Sequence, residues 1–390
     1  MDFGQEYRAK SADTLCGLSL VSTSSDQVLA AAGGKNIRLH SPSTLSCLST
    51  IGLQDTVRSI AASSADPNIL WSASDDGVVR GWDVRYPKKE AMKKFSPTSR
   101  TGQLSSVACC GETGRVAAGT EAIKVEGEDA ASVLLWDVRG GGAVMEYDEA
   151  HSDTITNLCF SPSDKKYLCS GSLDGLVCII DTSVADPDDA LESVLNAESS
   201  VSQAGFFGPA SEYAYCLTLT ETVLFWHIDE AQQLGHHGDV RQTLKENSNI
   251  TVNYLVDCFY QASSTQLTAT AGNHSGELFL LNVNLDGVHL IKSLPKRHQT
   301  TVCCMSYDHA NQVLFTGDDS GSICSWSEGG CSSKQTAASS PEENQPSSQP
   351  ASKVNAPKTE PPSAEAATGS ANRQTKMKQQ HKSGRKFKPY

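Results

Sequence analysis

The chain has 390 residues, 38% hydrophobic and 6% aromatic, with 30 glycines against 15 prolines and only 5 methionines; this turn-rich balance argues against a helical bundle. The formal net charge of −13 is unevenly spread, because residues 334–390 hold 10 basic and 4 acidic side chains and leave −19 on the first 333. A body that acidic lacks the clustered cations that nucleic-acid phosphates need, and no run approaches the ~20 apolar residues of a membrane span.

In chain order, residues 1–10 carry charges and no apolar block, unlike a secretory leader. Phe3 and Tyr7 have strand parity, so residues 3–10 are expected to pair beside Ile323–Trp326. A weak hairpin, GGKNIRLHS, then ends at His40. The clearest unit is ILWSASDDGVVRGWDVR (69–85): a short strand, a tight turn at Asp76-Gly77, and a second strand ending in Trp82-Asp83. Residues 115–139 repeat it with an insertion, Glu121–Asp129, and end at Trp136-Asp137. YLCSGSLDGLVCIID (167–181) turns at Asp174-Gly175, and a weaker copy ends at Trp226. TATAGNHSGELFLLN (268–282) and LFTGDDSGSICSW (314–326) turn at Ser275-Gly276 and Ser320-Gly321. An apolar strand precedes most units, as in Val57–Ile60, Ile155–Phe160, Ser202–Phe207, Leu255–Tyr260 and Val302–Tyr307.

The positions equivalent to Trp82 are 40, 82, 136, 180, 226, 281 and 326, at intervals of 42, 54, 44, 46, 55 and 45 residues. The two long intervals hold the 121–129 insertion and a polar stretch, Glu230–Asn249, read as a loop. A period of ~40–45 residues with four strands per unit predicts an all-β fold. The expected architecture is a single seven-bladed β-propeller over residues 13–330, with residues 1–12 closing the last blade. After Gly330 the chain turns to Ser, Ala, Pro, Gln and Thr, so residues 331–390 are expected to be a disordered tail. From Asn372 it is basic with no acidic residue, which suits nuclear import or contact with nucleic acid. The 13 cysteines are odd in number and form no Cys-x-x-Cys pair, so they read as small buried hydrophobes in an intracellular protein of the nucleus or cytoplasm.

These units resemble the WD-repeat family across residues 13–328, most particularly in AGTEAIKVEGEDAASVLLWDVR (118–139), HSDTITNLCFSPS (151–163) and SGSLDGLVCIIDTSVADPDDAL (170–191). The resemblance implies a monomeric ring that binds other proteins or peptides and needs no cofactor, metal or catalytic residue. It also implies bracing sets made of a loop His, a strand Ser or Thr, a turn Asp and a strand Trp. On that pattern Trp82, Trp136, Trp226 and Trp326 are structural, as are His151 and Asp174 in the fourth unit and His298 in the seventh. No unit is expected to complete the set, since Ile180 replaces the fourth Trp and Ser320 stands at the seventh turn position.

Enzyme motifs are missing: there is no His-Glu-x-x-His, Walker loop, Gly-x-Ser-x-Gly elbow or dinucleotide fingerprint. His236-His237 lacks a third ligand, and the ring is expected to be non-catalytic. Two adjacent units carry Trp-Asp-x-Arg, placing Asp83 with Arg85 and Asp137 with Arg139. The pair resembles the box through which propellers dock on the adaptor of cullin-4 ubiquitin ligases, where a planar guanidinium makes paired, charge-assisted bonds. The candidate partner face, on the opposite rim, holds Asp55, Arg58, Asp75, Glu126, Asp129, Asp153 and Asp319. Its acidity points to a basic partner, and only the basic tail is suited to nucleic acid.

Overall fold

Small and apolar residues alternating between tight turns build short antiparallel strands, and the computed structural model arranges these as a ring. It describes residues 8–10, 14–22, 27–63, 66, 68–87, 90–97, 102–125, 127–140 and 143–327. The strand β1 (Arg8–Lys10) precedes blade one, which is β2 (Leu15–Ser22), β3 (Gln27–Gly33), β4 (Asn36–His40) and β5 (Cys47–Gly52). Blade two is β6 (Val57–Ala62), β7 (Ile69–Ser74), β8 (Val79–Asp83) and β9 (Lys93–Phe95). Blade three is β10 (Leu104–Cys110), β11 (Arg115–Thr120), β13 (Glu128–Asp137) and β14 (Ala143–His151), with β12 (Ile123–Val125) folded back on the start of β13. Blade four is β15 (Ile155–Phe160), β16 (Tyr167–Ser172), β17 (Leu176–Asp181) and β18 (Leu191–Asn196). Blade five is β19 (Val201–Phe207), β20 (Tyr213–Thr218), β21 (Val223–His227) and β22 (Gln232–His237), followed by the helix α1 (Val240–Ser248). Blade six is β23 (Tyr254–Gln261), β24 (Gln266–Gly272), β25 (Leu278–Asn284) and β26 (Gly287–Ser293). In blade seven, β27 (Val302–Asp308), β28 (Val313–Asp318) and β29 (Ser322–Ser327) are joined by β1, with Arg8 opposite Cys324 and Lys10 opposite Ser322.

All seven inner strands slip register near their start, at the second residue in six and the third in β23, which leaves Cys16, Arg58, Ser105, Thr156, Ser202, Val256 and Cys303 without a partner across the ladder. Such a bulge aims a side chain away from its own sheet. Several use that freedom to reach the next blade. Cys16 Sγ donates to the Val57 carbonyl at 3.0 Å, and Thr156 Oγ1 to that of Val201 at 2.9 Å. Ser105 Oγ donates to the Ile155 carbonyl at 2.5 Å. Cys303 Sγ, 3.1 Å from the Leu15 carbonyl, carries the pattern from blade seven back to blade one and closes the ring.

The apolar core lies between blades. Each third-strand tryptophan packs toward the preceding blade: Trp82 sits with Val21, Ile37 and Leu39, and Trp136 with Trp71, Val79 and Phe95. Trp226 joins Val177, Ile179 and Leu195, and Trp326 joins Leu278 and Leu280. Burying a side chain of this size is worth roughly 2–3 kcal/mol.

One expectation changes. The 230–249 stretch is not a loop, because it holds β22 and α1. The Asp239 carboxylate caps the helix by accepting from Arg241 N, Asn249 ends it in the left-handed region, and Val240 and Leu244 bury one apolar stripe. Polar QQLGHH carries no apolar alternation, so the strand left no sequence signal. The 121–129 insertion, expected between two strands of a hairpin, forms a small hairpin extension of β13. Residues 1–7 and the whole tail, 331–390, lie outside the described residues, as does the order expected of them. Among the described residues no helix is long and apolar enough to cross a membrane.

Candidate interaction surfaces

Polar side chains first meet inside the blades. In blade seven His298 Nδ1 lies 2.8 Å from Asp318 Oδ2 and Nε2 lies 2.7 Å from Thr316 Oγ1, while Trp326 Nε1 donates to Thr316 Oγ1 at 2.8 Å. The bracing set is therefore complete here, contrary to the expectation that no unit finishes it. The reason is a swap within the turn. Blade four reads Ser172-Leu-Asp174, whereas blade seven reads Asp318-Asp-Ser320, and the carboxylate reaches its histidine from either position. Asp318 is fully buried, and its second oxygen accepts from Ser320 N, Ser320 Oγ and Ser322 N. Burial alone would raise its pKa, but the bonds from His298, Ser320 and Ser322 prevail and hold it at about 2.

Blade four keeps three members. His151 Nδ1 meets Asp174 Oδ2 at 3.0 Å and Nε2 meets Ser170 Oγ at 2.8 Å, but Ile180 stands in the indole's place. In blade two Trp82 Nε1 donates to Ser72 Oγ at 2.9 Å, and Asp76 pairs instead with Arg80. Buried Trp136 stacks on Phe95 at 5.8 Å, and Trp226 is equally buried.

The turns that lead into the inner strands share one face with the turns between second and third strands. This entry face carries the sequence-selected charges. Arg58, on the β6 bulge, donates to Asp75 at 2.5 Å and lies 3.7 Å from Glu121, so one guanidinium bridges blades two and three. Its bond to Asp75 raises its pKa. Asp55 lies 3.9 Å from Lys35, and Asp129 3.7 Å from Lys124. The Asp153 carboxylate accepts from Thr154 N at 2.6 Å, and Asp319 is exposed. Glu126 lies outside the described residues.

The far face carries the two Trp-Asp-x-Arg motifs. Arg85 grips Asp83 through both carboxylate oxygens, at 2.9 and 2.6 Å. Arg139 donates to the Thr113 carbonyl, and its backbone N–H donates to Asp137 at 2.6 Å. The two guanidinium side chains stay 48% and 69% exposed, so each remains accessible despite its own aspartate. Arg139 also lines a cleft of about 390 Å³ with Ile69, Trp71, Met92, Cys109 and Val116.

The described residues hold no group of three or more His, Cys, Asp or Glu side chains placed to bind a metal. His237 Nε2 is spent on the Asn284 carbonyl at 2.7 Å. Burial pushes two thiols up, Cys109 to about 12 and Cys159 to about 11, which leaves them protonated and poor nucleophiles. Sequence reasoning missed Asp318, whose only signal was the doubled Asp before Ser-Gly, and Asp257 on β23. Burial raises Asp257 to about 6, against bonds from Cys258 N at 2.7 Å and the Tyr215 hydroxyl at 3.2 Å.

Comparison with known proteins agrees with this geometry. The family described as "WD domain, G-beta repeat" matches at residues 45–83, 144–181 and 289–327. Each stretch runs from near an outer strand to a third-strand end, spanning the ring in three places. The chain is similar to the WD repeat-containing protein 89 homolog of Dictyostelium discoideum, at 29% identity over 76% of this chain and 79% of that protein. It is also similar to WD repeat-containing protein GTS1 of Arabidopsis thaliana, at 28% identity over 74% and 75%. Among solved structures, a chain in "Crystal Structure of Mitotic Checkpoint Complex" shares the fold at TM-score 0.64 and 17% identity, covering 84% of this chain and 93% of that one.

Proposed function

We propose that this chain, a WD-repeat β-propeller, is a non-catalytic scaffold that presents its entry face to other proteins or peptides. One observation carries the reading: the histidine-centred polar sets of blades four and seven are consumed in bracing, whereas charged side chains on the entry face remain accessible. His298, Asp318, Thr316 and Trp326 bond to one another, while Asp55, Asp129 and Asp319 stay open to a partner. Carboxylates fixed on a rigid face favour basic partners by steering and register more than by raw affinity. The solved structure with the same fold is a protein complex, which supports the class and names no partner. The test is quantitative affinity purification of the wild-type chain beside Asp55→Lys with Asp129→Lys and Asp319→Lys. Specific partners should fall about tenfold or more in recovery while the melting temperature holds. An unchanged partner set would remove the entry face from the proposal.

A second reading has its own observation: Arg85 and Arg139 project, accessible, from adjacent blades on the far face. It makes the chain a substrate receptor of a cullin-4 type ligase. Purified adaptor should then bind the wild type and not Arg85→Ala with Arg139→Ala; wild-type protein that ignores the adaptor ends this reading.

A further inference from the structure

The missing tryptophan of blade four leaves a mark on the outer rim. Trp82, Trp136, Trp226 and Trp326 each fill the space against the preceding blade, and Ile180 holds the same place between blades three and four. The smaller side chain is buried, yet a cleft of about 200 Å³ opens beside it, lined by Tyr147, Ala150, Ile180, Pro187 and Leu191 with Asp148 and Asp188. That is room for one large apolar side chain or several waters at ~30 Å³ each.

Three features describe what fits. The floor is apolar, and exposed Leu191 and Val194 extend it along β18, the outermost strand of the blade. The rim is acidic: Asp148 and Asp188 line it, and Asp186, Asp189 and Glu192, all exposed, flank its lining residues Pro187, Asp188 and Leu191 in the chain. The neighbouring cations are already engaged, Arg115 by Thr182 and Lys166 by Asp181. Independently, Tyr147 is only 5% exposed, lines the cleft, and has a hydroxyl with no hydrogen-bond partner among the described residues. Burial pushes that phenol up to about 12, so it keeps its proton and offers a donor. A buried donor without an acceptor is a standing cost that an incoming carbonyl removes.

We propose that this rim cleft docks a linear basic segment of another protein, anchored by one large apolar side chain. The anchor sits on Ile180, Pro187 and Leu191, a main-chain carbonyl of the segment accepts from Tyr147, and its Lys or Arg residues meet the aspartates. The inference rests on the scaffold reading but uses a surface separate from the entry face.

The probe is a fluorescein-labelled peptide, Gly-Lys-Arg-Phe-Lys-Gly, read by fluorescence anisotropy on the full chain. Ile180→Trp fills the cleft with the residue that neighbouring blades use, and the introduced indole stands to donate to Ser170 as Trp326 does to Thr316. It should therefore melt at or above the wild type and yet bind about tenfold more weakly or worse. Asp186→Lys with Asp188→Lys and Asp189→Lys should weaken binding similarly, as should replacing the peptide's Phe by Ala. A wild-type chain that does not bind the peptide, or variants that bind it equally well, overturn the cleft. Self-association that Ile180→Trp abolishes would assign the cleft to a second copy of the chain and overturn an outside partner. If the cleft fails while the entry-face variants still lose partners, the scaffold reading stands without it.

Discussion

Two aspartates, Asp318 fully buried and Asp257 half-buried, show how the same residue acts with opposite sign. Asp318 is held at about 2, below the ordinary 3.8, so its stabilisation is complete above ~4 and is lost as pH falls through 2. The shift is worth about 2 kcal/mol. Asp318→Asn should lower stability by roughly 2–4 kcal/mol at pH 7, since it weakens a buried pair with His298, and should flatten the denaturation free energy between pH 4 and 2. Asp257 is raised from 3.8 to about 6, so ionising it disfavours the folded state as pH rises from about 4 through 6. Asp257→Asn should therefore melt higher than the wild type at pH 8, with the gain vanishing near pH 4. Scanning calorimetry across that range checks both. A wild-type advantage at pH 8 would mean that the Tyr215 and Cys258 bonds outweigh the burial cost.

At the scale of elements, legibility follows the range of the signal. The third-strand tryptophans and the Asp-Gly turns are local, and a shared phase of ~45 residues made the seven blades readable. The β22–α1 segment was not, because its strand is polar and its nine-residue helix shows only Val240 and Leu244 as an i, i+4 pair. Asp318 hid for a different reason: its bond to His298 joins residues 20 apart, and fixed turn spacing pointed to Ser320 instead. The rim cleft hid as well. Ile180 is visible in the sequence, but whether a neighbour fills the vacated space is a packing question. Once the elements are known they can be tested singly. Leu244→Ala should cost roughly 2–4 kcal/mol in denaturant midpoint and slope, because its side chain is fully buried in the cluster between blades five and six. A loss below ~1 kcal/mol would mean that α1 is an ornament on the ring.

Across the whole molecule, the ring depends on joining its most distant residues. Cys303 reaches the Leu15 carbonyl across 288 positions, and β1 pairs with β29. Contacts so far apart in sequence form after long loop closure, so closure belongs late in folding. An interaction absent from the folding transition state changes the unfolding rate and spares the refolding rate. Deleting residues 1–12 exposes the edge of β29 and should lower the melting temperature substantially. In stopped-flow chevrons the deletion should speed unfolding about tenfold or more and leave refolding within about twofold. Slowed refolding would place the closing strand in the folding nucleus. The ring would then assemble from the seam outward, with the seven interblade clusters following it.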